Sequence, residues 1–94
     1  MNHNHQMKIT ICIPKVNSKI NKKFIFETFN KFNFGFIKKI DLIKVNKSQR
    51  CFIHYTHWND HELSRHILDI LEKGQDFKIM YRDPWYWKCS LYRK

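Results

Sequence analysis

The chain has 94 residues, 43% hydrophobic and 16% aromatic, a composition that excludes wholesale disorder and is typical of one compact domain. No apolar run approaches the roughly 20 residues of a membrane span, and no signal-peptide pattern precedes the first apolar segment. The net charge of +10 is one-sided: residues 1–50 carry 11 basic and 2 acidic side chains, and residues 51–94 carry 7 and 6. This field indicates a polyanionic partner. We expect an intracellular protein, with residues 1–7 as a flexible tail and residues 8–94 as a single domain.

The first predicted elements are a strand and a helix. Alternating isoleucines predict a strand over residues 8–16, ending near Pro14 because proline donates no ladder hydrogen bond. Asn17 and Ser18 are typical helix N-cap residues. Apolar side chains then recur at helical spacing, which predicts a helix over residues 19–31.

Two strands follow this helix. Gly35 stands where a helix commonly ends with a positive φ. Residues 36–45 resume strand character and lead into a polar, basic loop. Residues 50–55 alternate again, with one face apolar and the other mixed.

A second helix and a hairpin complete the pattern. Asn59 and Glu62 have capping-box spacing, which predicts a helix over residues 60–73 that ends at Gly74. The remaining elements are a strand over residues 77–81, a turn at Asp83 and Pro84, and a strand over residues 85–92.

The order of these elements predicts an α+β fold. It reads β-α-β-β-α-β, with an extra hairpin strand before the last strand. The spacing favours a ferredoxin-like sandwich, in which a four-stranded antiparallel sheet carries both helices on one face. The other face is then left open, in agreement with strands that are apolar on one side only.

Three segments carry a resemblance to a known family. Residues 11–16 (Ile-Cys-Ile-Pro-Lys-Val) lie where the family has a six-residue motif on its first strand, and residues 50–55 (Arg-Cys-Phe-Ile-His-Tyr) overlie the end of its eight-residue motif. Residues 29–43 are similar to its helix-loop-strand passage. Over residues 8–92 the chain thus resembles the RNA recognition motif (RRM) family. The resemblance implies an RRM-like fold that binds RNA on the open sheet face.

The resemblance departs from the family at the rings that stack on bases. The family usually exposes three aromatic side chains on the sheet. Here Cys12 and Arg50 stand at two of these positions, and Phe52 keeps the third. A guanidinium plane stacks on a base as a ring does, whereas a thiol does not.

A second resemblance covers the C-terminal half. Residues 52–55, Trp58, residues 78–79 and residues 83–88 are similar to small proteins encoded by large nucleocytoplasmic DNA viruses. This implies a viral protein in the host cytoplasm or the virion, with the nucleus as an alternative.

The predicted function is a small basic module that binds RNA or single-stranded nucleic acid without catalysis. Rings stack on bases and cations neutralise phosphates. The predicted interface consists of Arg50 and Phe52 for stacking, Lys39, Lys47 and Lys88 for phosphates, Tyr86 and Tyr92 as further rings, and His54 on the same face.

The alternative is an RRM-like protein-interaction or virion-assembly module that has lost base stacking. Its partner would dock on Trp58, on Trp85 or on the basic first helix, because exposed tryptophans are common interface anchors. We expect no cofactor, metal or membrane partner, and the sequence leaves the oligomeric state open.

The reactive side chains do not form a catalytic or metal-binding pattern. The chain has only two glycines and no phosphate-binding loop, and its histidines lack the paired cysteines of structural zinc sites. The three cysteines are widely spaced in apolar runs, which favours packed, reduced thiols. Cys12, beside Lys39 or Arg50, is the one candidate for a thiol of lowered pKa.

Overall fold

The computed structural model describes residues 8–93, which form an antiparallel sheet of five strands and two helices. In chain order the elements are β1 (Ile9–Asn17), α1 (Lys22–Asn30), β2 (Gly35–Val45), β3 (Ser48–Trp58), α2 (Glu62–Glu72), β4 (Phe77–Arg82) and β5 (Trp85–Leu91). The strands lie side by side in the order β2-β3-β1-β5-β4. The α+β prediction is confirmed, and the predicted flexible tail lies outside the described residues. Neither described helix is long and apolar enough to cross a membrane.

The prediction of a four-stranded sheet is wrong, because the extra hairpin strand is part of the sheet. β4 pairs with β5 from Phe77 opposite Cys89 to Arg82 opposite Trp85. β5 in turn pairs with β1 through Leu91 and Ser90. The hairpin strand therefore extends the sheet as a fifth, edge strand.

One face of the sheet, the covered face, packs against both helices. Its buried strand residues include Ile9, Ile11, Ile13, Ile37, Ile40, Cys51, Ile53, Tyr55, Phe77, Ile79, Trp87 and Cys89. Ile25 and Phe29 of α1, and Ile67 and Leu71 of α2, join the same hydrophobic cluster. Trp87 stacks on Tyr81 at a centroid distance of 4.2 Å and on Phe29 at 6.0 Å. Large rings thus fill the core of a domain that has no alanine.

β1 continues past Pro14 to Asn17. Its register on β3 shifts between Ile13 and Val16, so Pro14 lies at an irregular step of the strand. Because the strand is longer, Asn17 does not cap the helix as predicted. The N-cap of α1 is Asn21, whose side-chain oxygen accepts a hydrogen bond from the Phe24 amide at 2.9 Å.

The segment between α1 and β2 also differs from the prediction. The positive φ of 55° belongs to Asn33, and Gly35 is the first residue of β2. Gly35 lies opposite Trp58, where a Cβ atom would collide with the carbonyl oxygen of His57. This glycine is therefore required for close approach of two strands and does not end the helix.

α2 begins two residues later than predicted, and its N-cap is His61. The Ser64 amide donates to Nδ1 of His61, and the His61 amide donates to the Ser64 hydroxyl at 2.9 Å. The capping box therefore uses this pair instead of Asn59 and Glu62. At the other end Gly74 has a φ of 77°, and its predicted role in ending the helix is confirmed.

Candidate nucleic-acid interface

The second face of the sheet, the open face, carries most of the predicted interface. Its side chains include Thr10, Cys12, Lys39, Asp41, Arg50, Phe52, His54, Tyr86, Lys88, Ser90 and Tyr92. They share this face because residues paired across antiparallel strands point to the same side, and alternate residues along a strand do so too. Lys47 lies outside this set, in the turn between β2 and β3.

Phe52 is at the centre of the open face. It pairs with Cys12 of β1 on one side and with Asp41 of β2 on the other. Its ring meets the ring of Tyr92 edge to face, with centroids 5.0 Å apart. Arg50, two residues earlier on β3, is exposed, so a guanidinium and a half-buried ring lie side by side on one strand. Tyr92 is 43% exposed and continues this surface onto the end of β5.

A hydrogen-bonded row fixes His54 beside this centre. Its Nε2 donates to Asp41 Oδ2 at 2.8 Å, and its Nδ1 lies 3.1 Å from the Thr10 hydroxyl. The pKa of Asp41 is lowered mainly by the hydrogen bond from His54. The charge of Lys39, whose Nζ lies 3.9 Å from Asp41 Oδ2, lowers this pKa further, whereas partial burial of the carboxylate acts in the opposite direction. Asp41 is therefore an anion already paired by its neighbours, which reduces its repulsion of phosphate.

The other predicted cations lie around this centre in exposed, loosely paired positions. Lys88 approaches Asp76 at 3.7 Å, with a side chain that is 63% exposed. Lys78, which the sequence analysis did not single out, lies 4.8 Å above the ring of Tyr86. Exposed ion pairs of this kind contribute little to stability. The ammonium group of Lys88 can therefore leave the Asp76 carboxylate and pair with a phosphate at a small cost in free energy.

The positive charge continues around the edge of the sheet onto α1. A small apolar cleft between α1 and β2 contains the exposed ring of Phe26. Its rim carries the four lysines Lys22, Lys23, Lys38 and Lys39. Lys22 also helps to lower the pKa of Asp41, which lies on the open face. The lysines of the helix and those of the sheet thus form one continuous field at the β2 edge.

Cys12 is not the activated thiol that its cationic neighbours suggested. Partial burial raises its pKa, and the charge of Arg50 offsets only part of this effect. Burial also raises the pKa of Cys51 to about 12 and that of Cys89 further. All three thiols are free, and the last two are enclosed in the core. The geometry therefore favours a packing role for these cysteines.

The two tryptophans suggested as docking anchors differ sharply in exposure. Trp58 is only 7% exposed, and its Nε1 donates to the Ser64 carbonyl at 2.9 Å, so it belongs to the core. Trp85 is 62% exposed. It lines a cleft with Phe24 and Tyr81 between the start of α1 and the β4–β5 hairpin. Of the two, Trp85 is the one that a partner can reach.

Two histidines, His54 and His61, make hydrogen bonds within the described residues. His61 caps α2, and its Nε2 lies 2.7 Å from the Asn33 carbonyl oxygen, while His54 belongs to the row on the open face. In residues 8–93 no group of three or more His, Cys, Asp or Glu side chains is placed to hold a metal ion.

Comparison of the chain with family models, curated proteins and solved structures found no match. The chemistry of the open face is therefore the basis for a functional assignment. Its ring, guanidinium and peripheral cations form a surface that can stack on flat, unpaired groups and attract negative charge.

Proposed function

We propose that this protein is a non-enzymatic, RRM-like module that binds RNA or other single-stranded nucleic acid on its open face. The observation that carries the proposal is the row of Arg50, Phe52 and Tyr92, with its T-shaped ring contact of 5.0 Å. Exposed planar groups beside cations are suited to unpaired bases, because every base has a π-face.

The arrangement of the strands supports the RRM-like part of this proposal. The strands β1 and β3 are neighbours in the sheet, between β2 on one side and β5 on the other. They carry the two segments that resemble the family's motifs. We interpret β4 as an addition at the edge of a ferredoxin-like sandwich. The resemblance of the C-terminal half to viral proteins makes an infected cell or a virion the proposed setting.

Two kinds of contact contribute to binding: planar groups stack on bases, and cations pair with phosphates. Phe52 and Tyr92, with the guanidinium of Arg50, stack on bases, each at about 1–3 kcal/mol. Lys39, Lys47 and Lys88 contact phosphates and release bound counterions. Because each neutralised phosphate of a single strand contributes about −0.7 to the slope of log K against log salt, three contacts predict a slope of about −2.

The test is a fluorescence anisotropy titration with labelled single-stranded RNA and DNA at two salt concentrations. The wild-type protein should bind, with the slope given above. The double substitution Arg50→Ala and Phe52→Ala should weaken binding at least about tenfold, since it removes two stacking groups. Its thermal midpoint should stay close to the wild-type value, because Arg50 is exposed and Phe52 is half-buried.

A matched control removes the same side-chain types outside the proposed interface. Arg65 of α2 is exposed, and Phe36 at the start of β2 is 66% exposed. The double substitution Arg65→Ala and Phe36→Ala should leave affinity within about twofold, a difference below 0.5 kcal/mol. A flat titration of the wild-type protein, or equal losses in the two double variants, would refute the proposal.

A protein-interaction module is the second candidate, favoured by the exposed hairpin. Met80 is 59% exposed, Trp85 62% and Tyr86 50%. Apolar side chains this close together are typical of interface anchors. Sedimentation velocity separates the candidates. A concentration-dependent dimer that Trp85→Ala abolishes, together with a flat nucleic-acid titration, would establish this second function.

A further inference from the structure

A basic recess lies at the end of the open face, where β1 begins and β5 ends. Its volume is ≈ 770 Å³. Four open-face residues form part of its wall, namely Thr10, Lys39, His54 and Tyr92. The cations that line it are Lys8, Lys38, Lys39 and Arg93. The rest of the lining consists of Thr56, Glu72 and the apolar residues Ile9, Tyr55 and Leu91.

These cations reach the recess from three separate segments. Lys8 precedes β1, Arg93 follows β5, and Lys38 and Lys39 belong to β2. Consecutive residues of a regular strand point to opposite faces. Here Ile37 pairs with Tyr55 and Lys39 with His54, so Lys38 is an inserted residue in the strand. This bulge allows two neighbouring lysines to line the same recess.

The recess is continuous with the stacking surface. Tyr92 lines it and also makes the edge-to-face contact with Phe52. Lys39 and Arg93 line the same recess as Tyr92, so cations lie next to a ring that stacks on a base in the proposed function. The recess lies next to Tyr92 at the end of the open face, where the end of a strand held on that face can enter it.

We propose that this recess binds the terminal phosphomonoester of the single strand held on the open face, which rests on the function proposed above. A monoester carries close to two negative charges and three free oxygens, whereas an internal diester carries one charge. Four converging cations match the monoester better. Glu72 also lines the recess and offsets one of these four charges, so the lining keeps a net positive charge.

The test compares three labelled oligonucleotides of one sequence, with a 5′-phosphate, a 3′-phosphate or hydroxyl groups at both ends. The label is placed internally. Anisotropy titrations at one salt concentration should show that one phosphorylated form binds about tenfold more tightly than the hydroxyl form. The preferred end gives the polarity of the strand. Equal affinity for all three forms would overturn the proposal, and this comparison needs no substitution.

Variants locate the preference. Lys38→Gln and Arg93→Gln should each reduce it to less than about threefold, while affinity for the hydroxyl form stays within about twofold of wild type. Lys15→Gln and Lys31→Gln remove exposed charges outside the recess and should leave the preference unchanged. If the control substitutions reduce the preference for the phosphorylated form equally, that preference comes from the net charge of the protein and not from the recess.

The hydroxyl form separates failure of this inference from failure of the proposed function. If it binds and a terminal phosphate adds nothing, the open face binds nucleic acid and the recess does not select its end. If only a phosphorylated form binds, the recess is correct and the stacking surface is not. If no form binds, both proposals are wrong.

Discussion

The two faces of the sheet are built from the same five strands, and they differ in burial, in the packing of their rings and in charge. On the covered face the rings interlock, as in the stack of Trp87 on Tyr81 at 4.2 Å, and residues such as Ile11 and Ile53 are fully buried. On the open face the central contact of Phe52 and Tyr92 leaves both rings within reach of solvent and beside charged groups. Stability and the proposed binding are therefore assigned to opposite sides of each strand. Substitutions on the two faces should be separable by measurement.

The largest expected difference is between two neighbours on β5. Trp87 is 2% exposed and belongs to the covered face, whereas Tyr86 is 50% exposed on the open face. Trp87→Ala should lower the free energy of unfolding by about 3–5 kcal/mol, because it empties the centre of the ring stack. Tyr86→Ala should change it by less than about 0.5 kcal/mol. Urea denaturation of both variants measures the contrast, and similar losses would break the distinction between the faces.

Gln49 is a polar side chain on the covered face, and its effect should be the next largest. It is 6% exposed, and its amide nitrogen donates to the carbonyls of Asn17 and Ile20 at 3.1 and 2.9 Å. Gln49→Leu leaves both carbonyls without this donor and should cost about 1–3 kcal/mol. Thermal and urea unfolding check the loss. An unchanged or raised stability would mean that this part of the covered face tolerates a purely apolar side chain.

Tyr55 is a second polar side chain on the covered face, and its substitution should raise stability instead of lowering it. Its side chain is 3% exposed, and its hydroxyl has no hydrogen-bond partner among the described protein atoms. Burial also raises its pKa well above the usual tyrosine value. Tyr55→Phe removes this unpaired group and should raise stability by up to about 1 kcal/mol. The exposed Tyr92→Phe is the control and should change nothing; a clear loss in Tyr55→Phe would reveal a contact that the hydroxyl makes.

The smallest predicted effect is the pH dependence that Asp41 confers. Because its pKa in the folded protein lies below the ordinary value of 3.8, Asp41 contributes stability above that value and loses this contribution as pH falls through the lowered pKa. Its side chain is 40% exposed, so solvent screens the contribution. Asp41→Asn should flatten the acid limb of stability below about pH 4. Equal or steeper acid limbs in the variant would show that His54 does not stabilise the carboxylate.

Local patterns predicted much of this architecture because they report on burial. The alternation of Ile9, Ile11 and Ile13 gave the correct faces of β1, and the same holds for Cys51 and Ile53 on β3. A period of two is a direct consequence of one buried face. The open-face positions of Arg50 and Phe52 followed from the same alternation.

The features that the sequence did not predict depend on long-range pairing. The irregular step at Pro14 lengthened β1 and moved the N-cap from Asn17 to Asn21. The insertion at Lys38 depends on how β2 lies against β3. Bulges are set by partner strands, so neither has a local signal.

The most direct test of the open face is an amide chemical-shift map, recorded while a single-stranded oligonucleotide is titrated into isotope-labelled protein. The largest shift changes should fall on the amides of Thr10, Cys12, Arg50, Phe52 and Tyr92, and the amides of α1 and α2 should change very little. Changes confined to the helices or to the hairpin around Trp85, or the absence of any change at low salt, would contradict this prediction.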